Sequence, residues 1–184
     1  MKKRAIVILA DGFEEIEAVT VIDILRRSEI QVSICGLDVN LVRGSREIII
    51  SADKILEKSD LESKYDACVL PGGMPGAENL ASSDMVKELL IRMHGEEKII
   101  AAICASPALV LSPIGILDDK DATCFPNMRG DFSSRTTYKE DNVVIDGNII
   151  TSRGPATAME FTLSIVGILC GRDIASKVRK ALLA

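Results

Sequence analysis

The chain has 184 residues, 47% of them hydrophobic and 27% charged, with a formal net charge of −5. That is the composition of an ordinary globular protein with enough chain for one sizeable core, so a single domain over residues 1–184 is expected. The acidic balance argues against nucleic acid or an anionic membrane surface as a partner, since both recruit basic patches, and no apolar run has the length of a membrane-spanning helix.

The run Arg4–Leu9 reads as a buried strand. The apolar segment Ala5–Ala10 ends at Asp11 and is too short for the core of a signal peptide. Glu14–Ser28 has helical periodicity that groups Ala18, Val19, Ile22 and Leu25 on one face. Gln31–Gly36 is a second strand, and Leu41–Arg43 with Glu47–Ile50 suggests a short hairpin around Gly44. Asp66–Leu70 is a core strand halted by Pro71-Gly72-Gly73. A helix over Met85–Met93 precedes the strand Ile99–Ile103. Asn142–Asp146 and Ile149–Ser152 form a hairpin turning at Asp146-Gly147-Asn148. Ala156–Cys170 is a helix with Met159, Leu163, Val166 and Cys170 in register and Gly171 as its stop, and Asp173 caps a last short helix. Alternating strands and helices specify an α/β sandwich on a mostly parallel sheet, and strands without polar alternation are covered on both faces. In such sheets ligands bind beyond the carboxyl ends of the strands. That rule gathers residues 11–15, residues 71–76, the turn at Cys104 and the loop after Ser152.

Cys104 sits where a buried strand gives way to Ala105-Ser106-Pro107 and an apolar helical run. A side chain in that sharp turn stands above the sheet, as in elbow-type hydrolases. The unpaired N–H groups of a following helix bias a thiol toward thiolate. The other cysteines read differently: Cys35 and Cys68 lie in apolar strands, Cys170 on an apolar helix face, and Cys124 before Phe125-Pro126 is a candidate second, minor thiol. Five cysteines without a CxxC pair suggest neither a disulfide framework nor a metal site, and point to a reduced, cytoplasmic setting. Among the acids of Asp11-Gly12-Phe13-Glu14-Glu15-Ile16-Glu17, Glu14 and Glu15 are accounted for by the helix dipole. Glu17 lies one turn in, among apolar neighbours, where burial would raise its pKa and let it donate a hydrogen bond to a sulfur anion. Gly72 and Gly73 offer bare backbone N–H groups for an oxyanion, with Ala105 N–H as another donor. They resemble neither a phosphate-binding loop nor a dinucleotide fingerprint, and no cofactor or metal is expected. The sole histidine, His94, falls at the far end of the strand that leads to Cys104, so a Cys-His-acid triad is not expected.

Four segments, RAIVILADGFEEIEAVTVIDILRR, YDACVLPGGMPGAENL, IIAAICASPALVL and ITSRGPATAMEF, together resemble the ThiJ/PfpI superfamily in its DJ-one and YajL-like branch. The resemblance spans essentially the whole chain. It implies a flavodoxin-like three-layer sandwich, a homodimer, Cys104 at a nucleophile elbow with Glu17 as partner acid, and Gly72, Gly73 and Ala105 along the pocket. It also implies that Arg27 and Arg46 lie near the pocket or a dimer contact, with Ser152 and Arg153 in the matching TSRGP loop. Phe125 precedes Pro126 where some relatives carry a histidine, which removes a proton shuttle and weakens protease and amidotransferase readings. Two functions remain. One is slow, cysteine-dependent chemistry on reactive dicarbonyls or their adducts, of glyoxalase or deglycase type. The other is a redox sensor or chaperone in which Cys104 is oxidised to sulfinate.

Overall fold

The computed structural model describes residues 2–184. Eleven strands and six helices are described: β1 (Arg4–Leu9), α1 (Glu15–Arg27), β2 (Gln31–Gly36), β3 (Leu41–Arg43), β4 (Ile49–Ser51), β5 (Lys54–Ile55), α2 (Lys58–Leu61), β6 (Ala67–Leu70), α3 (Gly76–Ser82), α4 (Asp84–Gly95), β7 (Ile99–Ile103), β8 (Asp121–Ala122), β9 (Thr137–Tyr138), β10 (Val143–Asp146), β11 (Ile149–Ser152), α5 (Ala158–Cys170) and α6 (Arg172–Ala181). Seven strands form one sheet in the order β10-β11-β7-β6-β1-β2-β5, parallel throughout except for the β10–β11 hairpin. The period of two along β1 splits the core. Ala5, Val7 and Leu9 face the layer of α1 and α5, while Ile6 and Ile8 face the layer of α3 and α4. Both faces are apolar, which is why the central strands show no polar alternation. Among the described residues no helix is long and apolar enough to cross a membrane.

Several local expectations are corrected. Val19 is half-exposed, because the buried stripe of α1 runs through Ala18, Val21, Ile22 and Leu25 and residue 19 lies about 100° off it. Met159 is also exposed, since α5 buries Ala158, Phe161, Thr162 and Ile165. Asp173 is not a cap: Gly171, at φ 95°, ends α5 and opens α6, and Asp173 lies in the first turn. The hairpin around Gly44 pairs β3 with Ile49–Ser51, and Glu47 belongs to its turn. No regular helical run follows Cys104. Pro107–Leu111 is a five-residue π-helical turn, closed by Ser112 N–H on Pro107 O at 3.0 Å, and further turns follow it.

Candidate active site

The end of β7 decides the site. At Cys104 the backbone enters the left-handed region, φ 64°, which residues other than glycine rarely adopt. Neighbours fix it there: Cys104 N–H donates to Ser152 O at 2.9 Å and Phe125 N–H donates to Cys104 O at 2.8 Å. The buried Ser106 hydroxyl donates to Pro71 O at 2.6 Å and ties the elbow to the loop after β6. Gly72 permits this contact. A Cβ on it would lie 2.5 Å from Cys104 Cβ and 3.0 Å from both Cys104 Sγ and Ala105 N.

Glu17 reaches the elbow from α1. Glu14 caps that helix, its Oε2 accepting from Glu17 N–H at 2.7 Å. The Glu17 side chain is fully buried; its Oε2 accepts from Gly72 N–H at 2.7 Å, and Oε1 has no nitrogen or oxygen partner. Burial, reinforced by the nearby Glu14 charge and opposed by the Gly72 N–H, pushes this carboxyl up to about 8, so it is neutral at pH 7. It shares a hydrogen bond with the half-buried Cys104 thiol, which also faces the N–H groups of Gly73 and Ala105.

That arrangement corrects the expectation of a resting thiolate. Burial first, and Glu17 second, push the Cys104 thiol up to about 12 against the two N–H groups. Sulfur and carboxyl therefore both hold their protons in most molecules at pH 7.

The Cys104 cavity, about 310 Å³, is lined by Gly73, Ala105, Arg46, Met74, Phe125 and Met128, among others. A larger groove of about 410 Å³ between α5 and α6 has no thiol, imidazole or carboxyl on its walls and offers no comparable chemistry. Among the described residues no cluster of three His, Cys, Asp or Glu side chains is placed to hold a metal ion.

The remaining candidates separate clearly. Gly72 does not present its N–H to the cavity, because Glu17 takes it; the free donors are Gly73 and Ala105. Arg46 lines the cavity, exposed, its guanidinium donating to Ser45 O at 3.3 Å. Arg27 is away from the cavity, ten residues along α1 from Glu17, roughly 15 Å, and pairs with Asp23 at 2.6 Å. Ser152 is buried, its hydroxyl on Asn142 O at 2.7 Å, and it serves the elbow through its carbonyl. Arg153 donates to Glu140 O at 3.0 Å and does not line the cavity. Cys124 is fully buried and does not line the cavity, which argues against a second reactive thiol. His94 lies in the last turn of α4, before the strand's other end. Sequence reasoning missed Glu15, whose buried carboxylate accepts from Arg46 N–H at 2.5 Å and Ser45 Oγ at 3.2 Å and so holds the loop that carries Arg46. Gly44, which leaves no room for a Cβ beside that carboxylate, was the available signal.

The fold and elbow define a class, an α/β sandwich that presents a cysteine beside a buried acid. The sequence pattern of the DJ-1/PfpI family matches residues 3–167, and the chain belongs to that family. It is 43% identical over 184 residues to the Parkinson disease protein 7 homolog of Danio rerio, covering 98% of this chain and 97% of that one. It is 34% identical over 184 residues to the glutathione-independent glyoxalase DJR-1.2 of Caenorhabditis elegans, covering 98% and 96%. Protein DJ-1 homolog B of Arabidopsis thaliana is 44% identical over 176 residues, 95% of this chain, which spans 40% of that longer protein. Toxoplasma gondii DJ-1, in an oxidised structure, superposes with a TM-score of 0.94 at 37% identity and 98% coverage of both chains.

Proposed function

We propose that the protein converts reactive dicarbonyls, or their adducts, to hydroxy acids, with Cys104 as nucleophile and Glu17 as proton carrier. One observation carries this reading: a neutral, buried carboxyl against a thiol that faces two backbone N–H donors, with no imidazole in the cavity. The working form is the pair with one proton. Sulfur adds to the aldehyde carbon of methylglyoxal, the carboxyl protonates the former carbonyl oxygen, and a hemithioacetal forms while the Gly73 and Ala105 N–H groups hold that oxygen. The carboxylate then takes the proton from that carbon and delivers it to the neighbouring carbon, while the hydroxyl proton passes to the neighbouring carbonyl oxygen. The first carbon is oxidised and the second reduced, leaving a thioester that water cleaves to lactate and thiol. The glyoxalase named among its relatives supports the reading. Incubation with methylglyoxal and no added thiol should yield lactate by chromatography and a Cys104-linked adduct by peptide mass spectrometry. Lactate at the background rate would refute the assignment.

A second reading rests on the same donors and on the oxidised relative. Two equivalents of peroxide would convert the thiol to sulfinate with release of water, and Gly73, Ala105 and neutral Glu17 would hold the new anion. Mild peroxide should add two oxygens at Cys104 first; prior oxidation at another cysteine would remove this reading. A cytoplasmic homodimer of single-domain chains completes the proposal. Ile16 and Val19 on α1, Ile48 and Ile49 in the hairpin, and Met159 on α5 are exposed apolar residues for a second copy to cover.

A further inference from the structure

Proton transfer in the Cys104 cavity uses only its polar groups, yet much of its wall is apolar. Met74 and Phe125, 41% and 39% exposed, are among the large apolar residues left in water, and both line this cavity with Met128 and Pro155. Exposed apolar side chains gathered at one concavity mark a ligand surface. Phe125 has no donor or acceptor on its ring, and the unbranched methionines adapt to irregular ligands. At about 310 Å³ the cavity reaches the range, about 300–1,000 Å³, of pockets that enclose drug-sized ligands. Methylglyoxal, with a single methyl group on its dicarbonyl, leaves most of that wall uncovered.

We propose that the cavity selects electrophiles bearing an apolar substituent of branched-alkyl or phenyl size, with Phe125, Met74 and Met128 as specificity-determining residues. This rests on Cys104 as the nucleophile of the proposed function. With the reacting carbon on sulfur and its oxygen on the Gly73 and Ala105 N–H groups, the substituent extends over Met74, Phe125 and Met128 and displaces water from them. The bonding steps are those given above; only the group carried on the second carbonyl changes.

Two measurements test this separately from turnover. In the first, Cys104 is alkylated with iodoacetamide and with its N-benzyl analogue. In both, a sulfur–carbon bond forms and iodide leaves, and the rates are followed by peptide mass spectrometry. The benzyl-to-parent rate ratio, divided by the same ratio for N-acetylcysteine, should be about tenfold or more. It should fall severalfold in Phe125→Ala and in Met128→Ala, neither of which removes a buried side chain. In the second, kcat/KM for 4-methyl-2-oxopentanal should exceed that for methylglyoxal by a similar factor, with the difference in KM. A normalised alkylation ratio near one, or a ratio the two variants leave unchanged, overturns the selectivity. Selective alkylation without hydroxy acid from either aldehyde would instead refute the proposed turnover and leave the selectivity standing. Hydroxy acid formed equally well from both aldehydes, with no alkylation preference, would do the reverse.

Discussion

Cys104→Ser is expected to lose lactate formation from methylglyoxal by on the order of 10³-fold or more, leaving no rate above background. Serine fits the elbow as cysteine does, and the bonds that set φ 64° are made by backbone atoms of Cys104, Ser152 and Phe125, so the variant should fold. What it lacks is an atom that can share one proton with Glu17 near neutral pH. An alcohol gives up its proton far less readily than a thiol, and a carboxyl whose pKa is about 8 is too weak a base to take it. No other cysteine can substitute. Cys35, Cys68 and Cys124 are fully buried away from the cavity, and Cys170 lies at the end of α5, also outside it. Lactate should be measured alongside a denaturant unfolding curve. Wild-type turnover in a folded Cys104→Ser protein would place the reaction at another residue.

The parts of this site legible in the sequence were those written in local patterns. Apolar runs bounded by Pro-Gly or by a polar turn marked β1, β6 and β7, because a strand buried on both faces needs no alternation. The rule that ligands gather beyond strand ends brought together the loop before α1, Gly73 and Cys104, which are distant in sequence, and the apolar neighbours of Glu17 singled out that acid one turn further on. Direction and partnership were less legible. Helical periodicity identified α1 and α5, but their apolar residues extend beyond the buried stripe, so Val19 and Met159 were placed inward when they face out. Gly72 and Gly73 are adjacent and chemically identical in sequence; only the approach of Glu17 separates the N–H that holds the acid from the one that faces sulfur. The thiol's proton affinity was misread for the same reason. It depends on burial and on the approach of Glu17, neither of which is written in Ala105-Ser106-Pro107. Glu15 was legible as a helix-dipole acid, whereas its hold on Ser45 and Arg46 depends on a hairpin thirty residues away in sequence.

Glu17→Gln should separate the two roles of the buried acid. The amide oxygen can accept from Gly72 N–H as Oε2 does, and the amide nitrogen can donate to sulfur, so the variant mimics the neutral carboxyl but cannot exchange its proton. Turnover should fall by on the order of 10²–10⁴-fold. In the wild type the one-proton pair is roughly a tenth of the protein at pH 7, so activity should rise about tenfold per pH unit and level off near pH 8. Stability should run the other way. The folded-state pKa is raised from 4.5 to about 8, so between those values the folded protein holds a proton that the unfolded chain has released. Unfolding then liberates a proton, and wild-type stability falls relative to Glu17→Gln as pH rises, by at most about 1.4 kcal/mol per unit. Below about pH 4.5 both states are protonated, and above about pH 8 both are ionised, so the difference should be flat in each range. Denaturant unfolding of the two proteins from pH 4 to 9 measures this. A stability difference that does not change with pH would mean that Glu17 is already ionised in the fold. The carboxyl would then have an ordinary proton affinity, too low to protonate the carbonyl oxygen near neutral pH. The proton that makes the site reactive on leaving is thus the one that burial makes the fold retain, so wild-type activity and stability should change in opposite directions across the same pH interval.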